Sequence, residues 1–176
     1  SSSWKYISAP ADADSILAVG AVDVFGMRAA FSSQGPSADG RIKPDITAPG
    51  CQSDGDGGVT STVPGGGYSS YCGTSMASPT TTGVAALIIQ DWRQRYPDRG
   101  DIRNSSLKAL LANSGDDLGN PGPDCQYGFG TIRARHAIDA LRADAVIENE
   151  IADGDVAEYL VIVEPGDPVL RITLAW

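Results

Sequence analysis

Between residues 75 and 92 the apolar positions Met76, Ala77, Val84, Leu87, Ile88 and Trp92 recur at helical spacing. Pro79 lies inside this pattern. A proline is tolerated in the first turn of a helix, where its missing N–H has no partner to lose, so the helix must begin close to Ser75. Apolar residues run nearly all the way round, and the small residues Ala77, Ser78, Gly83, Ala85 and Ala86 permit close approach by neighbours. The pattern predicts a buried central helix, and the rest of the chain must fold to cover it.

What precedes the helix reads as strands and loops. Residues 16–22 (ILAVGAV) form a short apolar run bracketed by Asp14 and Asp23, the signature of a buried strand. Residues 29–31 are a second, shorter candidate. Pro and Gly cluster at residues 35–40 and again at 44–50, framing Asp45 and Ile46. From Gly50 to Gly73 the chain is rich in Gly and Ser and reads as one long surface loop, a kind of segment that often carries function. Two further helices are expected: residues 107–112, capped by Asn104 or Ser105, and residues 132–141, with Ala134, Ala137, Ile138 and Leu141 on one face. Residues 156–163 and 169–176 carry strand signals around a Glu164-Pro165-Gly166-Asp167 turn, and the second run alternates. The order is mixed α/β first, then all-β.

Charge marks the same division. Residues 1–143 carry 14 acidic and 12 basic residues, whereas residues 144–176 carry 8 acidic residues against Arg171 alone, and every Glu lies in this second stretch. A shift this sharp predicts a domain boundary near Asp144, with one domain over 1–143 and the start of another over 144–176. The net charge of −9 excludes a basic clamp for nucleic acid. A hydrophobic content of 41 % excludes disorder, and no apolar run approaches the roughly 20 residues that span a bilayer. The chain lacks an initiator Met and ends on the most apolar point of its last alternating run, which reads as a piece of a longer protein.

Cys51, Cys72 and Cys125 allow three single pairings and always leave one thiol over. Their spacing fits no common zinc pattern, and with a single His no structural metal site is expected. Asp54 and Asp56 are suitable hard ligands for calcium, although two carboxylates in a Gly-rich loop more often form a solvated acidic surface.

The string with most chemical content is Gly73-Thr74-Ser75-Met76-Ala77-Ser78-Pro79, at the junction of the long loop and the helix. A serine at a helix N-terminus has its own N–H free beside the positive end of the helix dipole. If its Oγ attacks a carbonyl, that N–H can donate to the oxyanion as charge develops. Gly73 removes a side chain where a substrate would lie. The bland alternative is that Ser75 or Thr74 is an N-cap, and capped helices far outnumber nucleophiles. Gly65-Gly66-Gly67 ahead of Gly73-Thr74-Ser75 has no Lys before the Ser/Thr and is not a phosphate loop.

The full string GTSMASP, followed by TTTGVAALI, resembles the serine motif of the subtilisin-like serine proteases, the subtilase family. ILAVGAVD, FSSQGP and GRIKPDITAPG precede it in family order, and YGFGTIRARHAIDA resembles the closing helix of a subtilase catalytic domain. The resemblance covers roughly residues 7–141. It implies the C-terminal portion of a parallel-sheet α/β domain, followed by the beginning of a β-sandwich segment. It makes Ser75 the nucleophile of a secreted, extracellular endopeptidase acting on protein or peptide substrates, with no cofactor required. By the same resemblance Gly73, Thr74 and the Ala9-Pro10-Ala11 segment contribute to substrate binding. For the last of these, an ordinary strand lead-in is the competing reading.

The family's other catalytic groups are an Asp from an Asp-Thr/Ser-Gly string, a His from a His-Gly-Thr string and an oxyanion Asn, and none of these motifs occurs in the 176 residues. The serine of such a triad needs His as general base. His136 is offset from the apolar face of its helix and reads as a solvated histidine. Asp45 reads as structural, at a strand and turn. The chain alone is therefore expected to be inactive, and its missing partner is the N-terminal part of the catalytic domain. Half a parallel sheet would also leave apolar surface exposed and favour self-association. The competing function is a non-catalytic pseudoprotease or binding module on the same scaffold.

Overall fold

A computed structural model describes residues 7–52, 57–163, 165–166 and 169–175. The two candidate calcium ligands, Asp54 and Asp56, lie outside the described residues, as do Glu164, Asp167 and Trp176. The fold is mixed α/β. Strands β1 (Val19–Val22) and β2 (Ile46–Pro49) pair in parallel, Val19 opposite Ile46 and Val22 opposite Pro49. The strand predicted at 16–22 is thus confined to its second half. On the far side of β2 the chain returns at Thr131: Thr47 N–H donates to Gly130 O at 2.8 Å and Ile132 N–H to Thr47 O at 2.9 Å. Instead of a strand at 29–31 there is one antiparallel bridge, between Val22 and Arg28.

Strands β3 (Val59–Val63) and β4 (Gly67–Tyr71) form an antiparallel hairpin within the stretch predicted to be a continuous loop. Val59, Thr60, Thr62, Val63, Tyr68 and Tyr71 suit a pleated surface, and Pro64-Gly65-Gly66 makes the turn, with both glycines at positive φ (93° and 85°). Polar residues between the β-branched ones, and the high Gly and Ser content, hid the two strands.

Three helices follow: α1 (Thr74–Arg95), α2 (Asn104–Ser114) and α3 (Ala134–Arg142). The expected cap of α2 by Asn104 or Ser105 does not occur. Arg103 is the N-cap and contributes no side-chain bond, and Asn104 is already helical. Helix α1 packs on β1, β2, α2 and α3. It is buried along one stripe, Ala77, Thr81, Ile88 and Trp92, while Gly83, Ala86 and Leu87 are exposed. Burial all round therefore does not hold, because among the described residues the sheet and the other two helices all meet the same stripe. The main core joins Ile46, Ile88, Trp92, Leu110, Leu111 and Leu141. Trp92 also donates Nε1–H to Gly100 O at 2.9 Å, which satisfies the indole within the core.

Pro79 is the sixth residue of α1, one turn deeper than expected. Its ring removes the N–H that would have reached Ser75 O. The hydroxyls of Thr80, Thr81 and Thr82 each donate back to the carbonyl four residues earlier, at 2.9, 3.2 and 3.1 Å. They occupy the carbonyls of Met76, Ala77 and Ser78 and leave that of Ser75 open.

The strands predicted at 156–163 and 169–176 are not formed among the described residues, and Val156, Leu160, Ile162, Val169 and Leu174 are exposed. Alternation can assign faces to a strand but supplies no partner, and a ladder needs one. The end of α2 ties this segment back: Arg171 donates to Asn113 O at 2.9 Å and Gly115 O at 2.7 Å, and Asn113 Nδ2 donates to Arg171 O and Thr173 Oγ1, each at 3.1 Å.

A buried ion pair secures the N-terminal ends of the paired strands. Lys43, 1 % exposed, donates Nζ–H to Asp45 Oδ2 at 2.7 Å, and the same oxygen accepts Ala18 N–H at 2.7 Å. Lys108 of α2 meets Asp45 Oδ1 at 3.1 Å. Asp45 thereby fastens the residue before β1 and helix α2 to the start of β2. Asp45→Ala would leave Lys43 buried without its counter-charge and is expected to cost about 3–5 kcal/mol, read by chemical denaturation; a loss under about 1 kcal/mol would show the pair to be dispensable.

Candidate active site

The C-terminal end of β2 and the N-terminal end of α1 meet at two glycines. Gly50, just after β2, donates N–H to Val22 O at 2.9 Å and accepts Gly73 N–H at 2.8 Å. A Cβ on Gly50 would stand 2.7 Å from both Ala21 Cβ and Gly73 O, so only glycine fits between the strand and the helix. The contact is completed by a cluster of small residues, Ala21, Ala29, Ala48 and Ala77, all 0 % exposed. Small side chains at these positions bring the first turn of α1 onto the strand ends.

Gly73 is the N-cap of α1, with φ 155° and ψ 162°, and makes no side-chain cap bond. Thr74 and Ser75 are the first two helical residues, so neither is the cap that the bland reading required. The helix ladder starts with the N–H groups of Met76 and Ala77, both donated to Gly73 O. Ser75 is exposed, and neither its N–H nor its Oγ bonds to any described residue. The first turn contains no acidic residue, so the positive end of the dipole is uncompensated. This is a hydroxyl beside an unoccupied backbone donor, an arrangement that can attack a carbonyl and hold the resulting oxyanion.

A covalent link lies immediately behind this turn. Cys51 and Cys72 are joined as a disulfide, with Cα atoms 5.1 Å apart, and Cys125 is the free cysteine, half-buried. Sequence alone left the pairing open. The bond adjoins the Gly50–Gly73 hydrogen bond on both chain segments. Gln52 extends the anchorage: its Oε1 accepts Ala30 N–H at 3.1 Å, and its Nε2 donates to Asp23 Oδ2 and Arg28 O, each at 3.3 Å. Burial would raise the Asp23 carboxyl, but the N–H groups of Met27 and Phe25 and the Gln52 amide together hold it below its ordinary value.

The other candidates are placed elsewhere. Ala9, Pro10 and Ala11 form a turn tied to the 34–41 loop, through Ile7 N–H to Gln34 O at 3.0 Å and Arg41 to Asp12 O at 2.7 Å. No described hydrogen bond links that turn to Gly73, Thr74 or Ser75. His136, exposed on α3, has Nδ1 3.5 Å from Asp116 Oδ1, and the same carboxylate also binds Arg133. It makes no described bond to Ser75. Asp45 lies at the opposite end of β2 from Gly50. Among the described residues no group of three or more His, Cys, Asp or Glu is arranged to hold a metal ion.

Comparison with known proteins identifies the family. The family model described as "Subtilase family" matches residues 2–130. The chain is 39 % identical to alkaline elastase YaB of Bacillus sp. (strain YaB) over 128 residues, which is 73 % of this chain and 28 % of that protein. It is 36 % identical to subtilisin E of Bacillus subtilis (strain 168) over 137 residues, 78 % of this chain and 30 % of that one. Among solved structures, a lanthipeptide protease superimposes with a TM-score of 0.64 at 29 % identity, covering 76 % of this chain and 43 % of its own. The prenylagaramide maturation protease PagA gives 0.61 at 28 %, covering 76 % and 45 %. The chain thus spans less than a third of these two curated relatives and less than half of the two structures.

Gly50→Ala tests the close approach. The added methyl must displace either β1 or the α1 cap, and a stability loss of about 1–3 kcal/mol is expected in thermal or chemical unfolding. An unchanged transition would mean that the two elements are not in contact at Gly50.

Proposed function

The chain belongs to the subtilase family, and from that premise we propose that it carries the nucleophile of a serine endopeptidase, Ser75. The observation that supports this most directly is an exposed Ser75 at the start of α1, its hydroxyl and N–H both free of described partners. In the proposed reaction Ser75 Oγ attacks the carbonyl carbon of a peptide bond. Its proton passes to a general base, and the carbonyl oxygen, now anionic, accepts the Ser75 N–H. Collapse of the tetrahedral intermediate expels the amine and leaves an acyl ester on Ser75, which water hydrolyses. Gly73 and Thr74 flank the reacting bond, and the Ala9-Pro10-Ala11 turn forms part of the substrate wall. The chemistry requires no cofactor, since the nucleophile is a side-chain oxygen.

The base, its orienting carboxylate and a second oxyanion donor come, in this reading, from an N-terminal part of the catalytic domain. His136 and Asp45 are both engaged structurally. Residues 1–143 then form the C-terminal part of the catalytic domain, and residues 144–176 open an accessory segment. The chain by itself gives no turnover and self-associates through the apolar face that the missing part would cover. An extracellular setting accords with the Cys51–Cys72 disulfide. No helix among the described residues is long and apolar enough to cross a membrane.

A fluorophosphonate probe applied to the protease that contains this chain is expected to modify Ser75, located by peptide mapping, and Ser75→Ala is expected to abolish both the label and peptide hydrolysis. A scaffold that binds without cleaving predicts no label at all. Hydrolysis by the isolated chain, lost in Ser75→Ala, would contradict the need for groups from outside it.

A further inference from the structure

We infer that the Cys51–Cys72 disulfide is a positioning element for Ser75, and that it makes peptide hydrolysis sensitive to external dithiols. The inference rests on the reading of Ser75 as nucleophile. The chain leaves β2 at Gly50, makes its excursion through the hairpin, and must return to the same point to start α1. On the outgoing side Gln52 ties the segment to Asp23, Arg28 and Ala30. On the returning side the described ties are the disulfide at Cys72 and the Gly73 N–H bond to Gly50 O.

Strands β3 and β4 are held chiefly to each other. No residue of β3 or β4 joins either apolar core, and the one side-chain hydrogen bond described within the pair joins Thr60 to Ser70. The hairpin is therefore a mostly exposed ribbon that belongs to neither apolar core. Ser75 lies three residues beyond Cys72, and a misplacement on the order of 1 Å at a reacting atom can cost roughly 100-fold in rate. The disulfide fixes the near end of that short lever.

The bond is also reachable. Cys51 is 4 % exposed, whereas Cys72 is exposed. A dithiol such as dithiothreitol attacks through its thiolate at Cys72 Sγ, expelling Cys51 as a thiolate that takes a proton from water. Its second thiol then attacks the mixed disulfide, closes the reagent into a cyclic disulfide and releases Cys72 as a thiol. Two electrons and two protons pass from reagent to protein.

The test uses the protease that contains this chain, in a Cys125→Ser background to prevent reshuffling. Non-reducing peptide mapping of the oxidised form should show Cys51 linked to Cys72, and its absence would overturn the inference. The oxidised form is compared with the dithiothreitol-reduced, iodoacetamide-capped form and with the Cys51→Ser, Cys72→Ser double variant. Expected is a fall in kcat on the order of 10- to 100-fold with KM nearly unchanged, and a parallel fall in the rate of fluorophosphonate labelling at Ser75. The final labelling stoichiometry and the near-UV circular dichroism should stay the same, and reoxidation of the uncapped reduced form should restore the rate. An unchanged kcat after reduction would overturn the inference. So would loss of stoichiometry and near-UV signal in step with kcat, which would make the disulfide a staple of the whole fold. If Ser75 in the oxidised form takes no label, it is the nucleophile assignment that fails, and the unmodified enzyme alone reveals it.

Discussion

The hydrogen bond from Gly73 N–H to Gly50 O places the start of α1 against the end of β2, and most of the functional geometry depends on that contact. It needs a glycine at position 50 and a lining of alanines, because a side chain at Gly50 would force helix and strand apart. A first turn held by a glycine cap keeps its N–H groups uncapped, and the dipole keeps them attractive to negative charge. The same arrangement that leaves α1 with no side-chain cap leaves Ser75 with a donor to offer an oxyanion. Capping stability is given up locally at the position where the proposed reaction requires an open donor.

The two ends of β2 are secured by different physics. At its start, a carboxylate is held between a buried ammonium, a second lysine from α2 and the backbone of the residue before β1. At its end the described ties are close packing, backbone hydrogen bonds, a disulfide and the side chain of Gln52, which reaches the Asp23 carboxylate. Asp45 accordingly belongs to the scaffold, and His136 has its described partner in Asp116.

Much of this was legible in the residues themselves. The 3.6-residue recurrence from Met76 to Trp92 located α1, and GTSMASP falls on the turn with which that helix begins. Other features depended on tertiary partners that a pattern does not name. The hairpin was obscured by Gly and Ser, the pairing of Cys51 with Cys72 needed the return of the chain to Gly50, and the role of Gly50 lay in a contact 23 residues away in sequence. The apolar run at residues 156–163 suits a strand by composition, yet it acquires no ladder among the described residues.

The central claim is that Ser75 attacks while its own N–H receives the oxyanion. A crystal structure of the protease containing this chain, with a phosphonate adduct trapped at the active site, examines both halves at once. The account predicts a covalent bond from Ser75 Oγ to phosphorus and a phosphonyl oxygen within ~2.7–3.1 Å of Ser75 N. An adduct on another residue, or one on Ser75 whose oxygen points away from the start of α1, would contradict it.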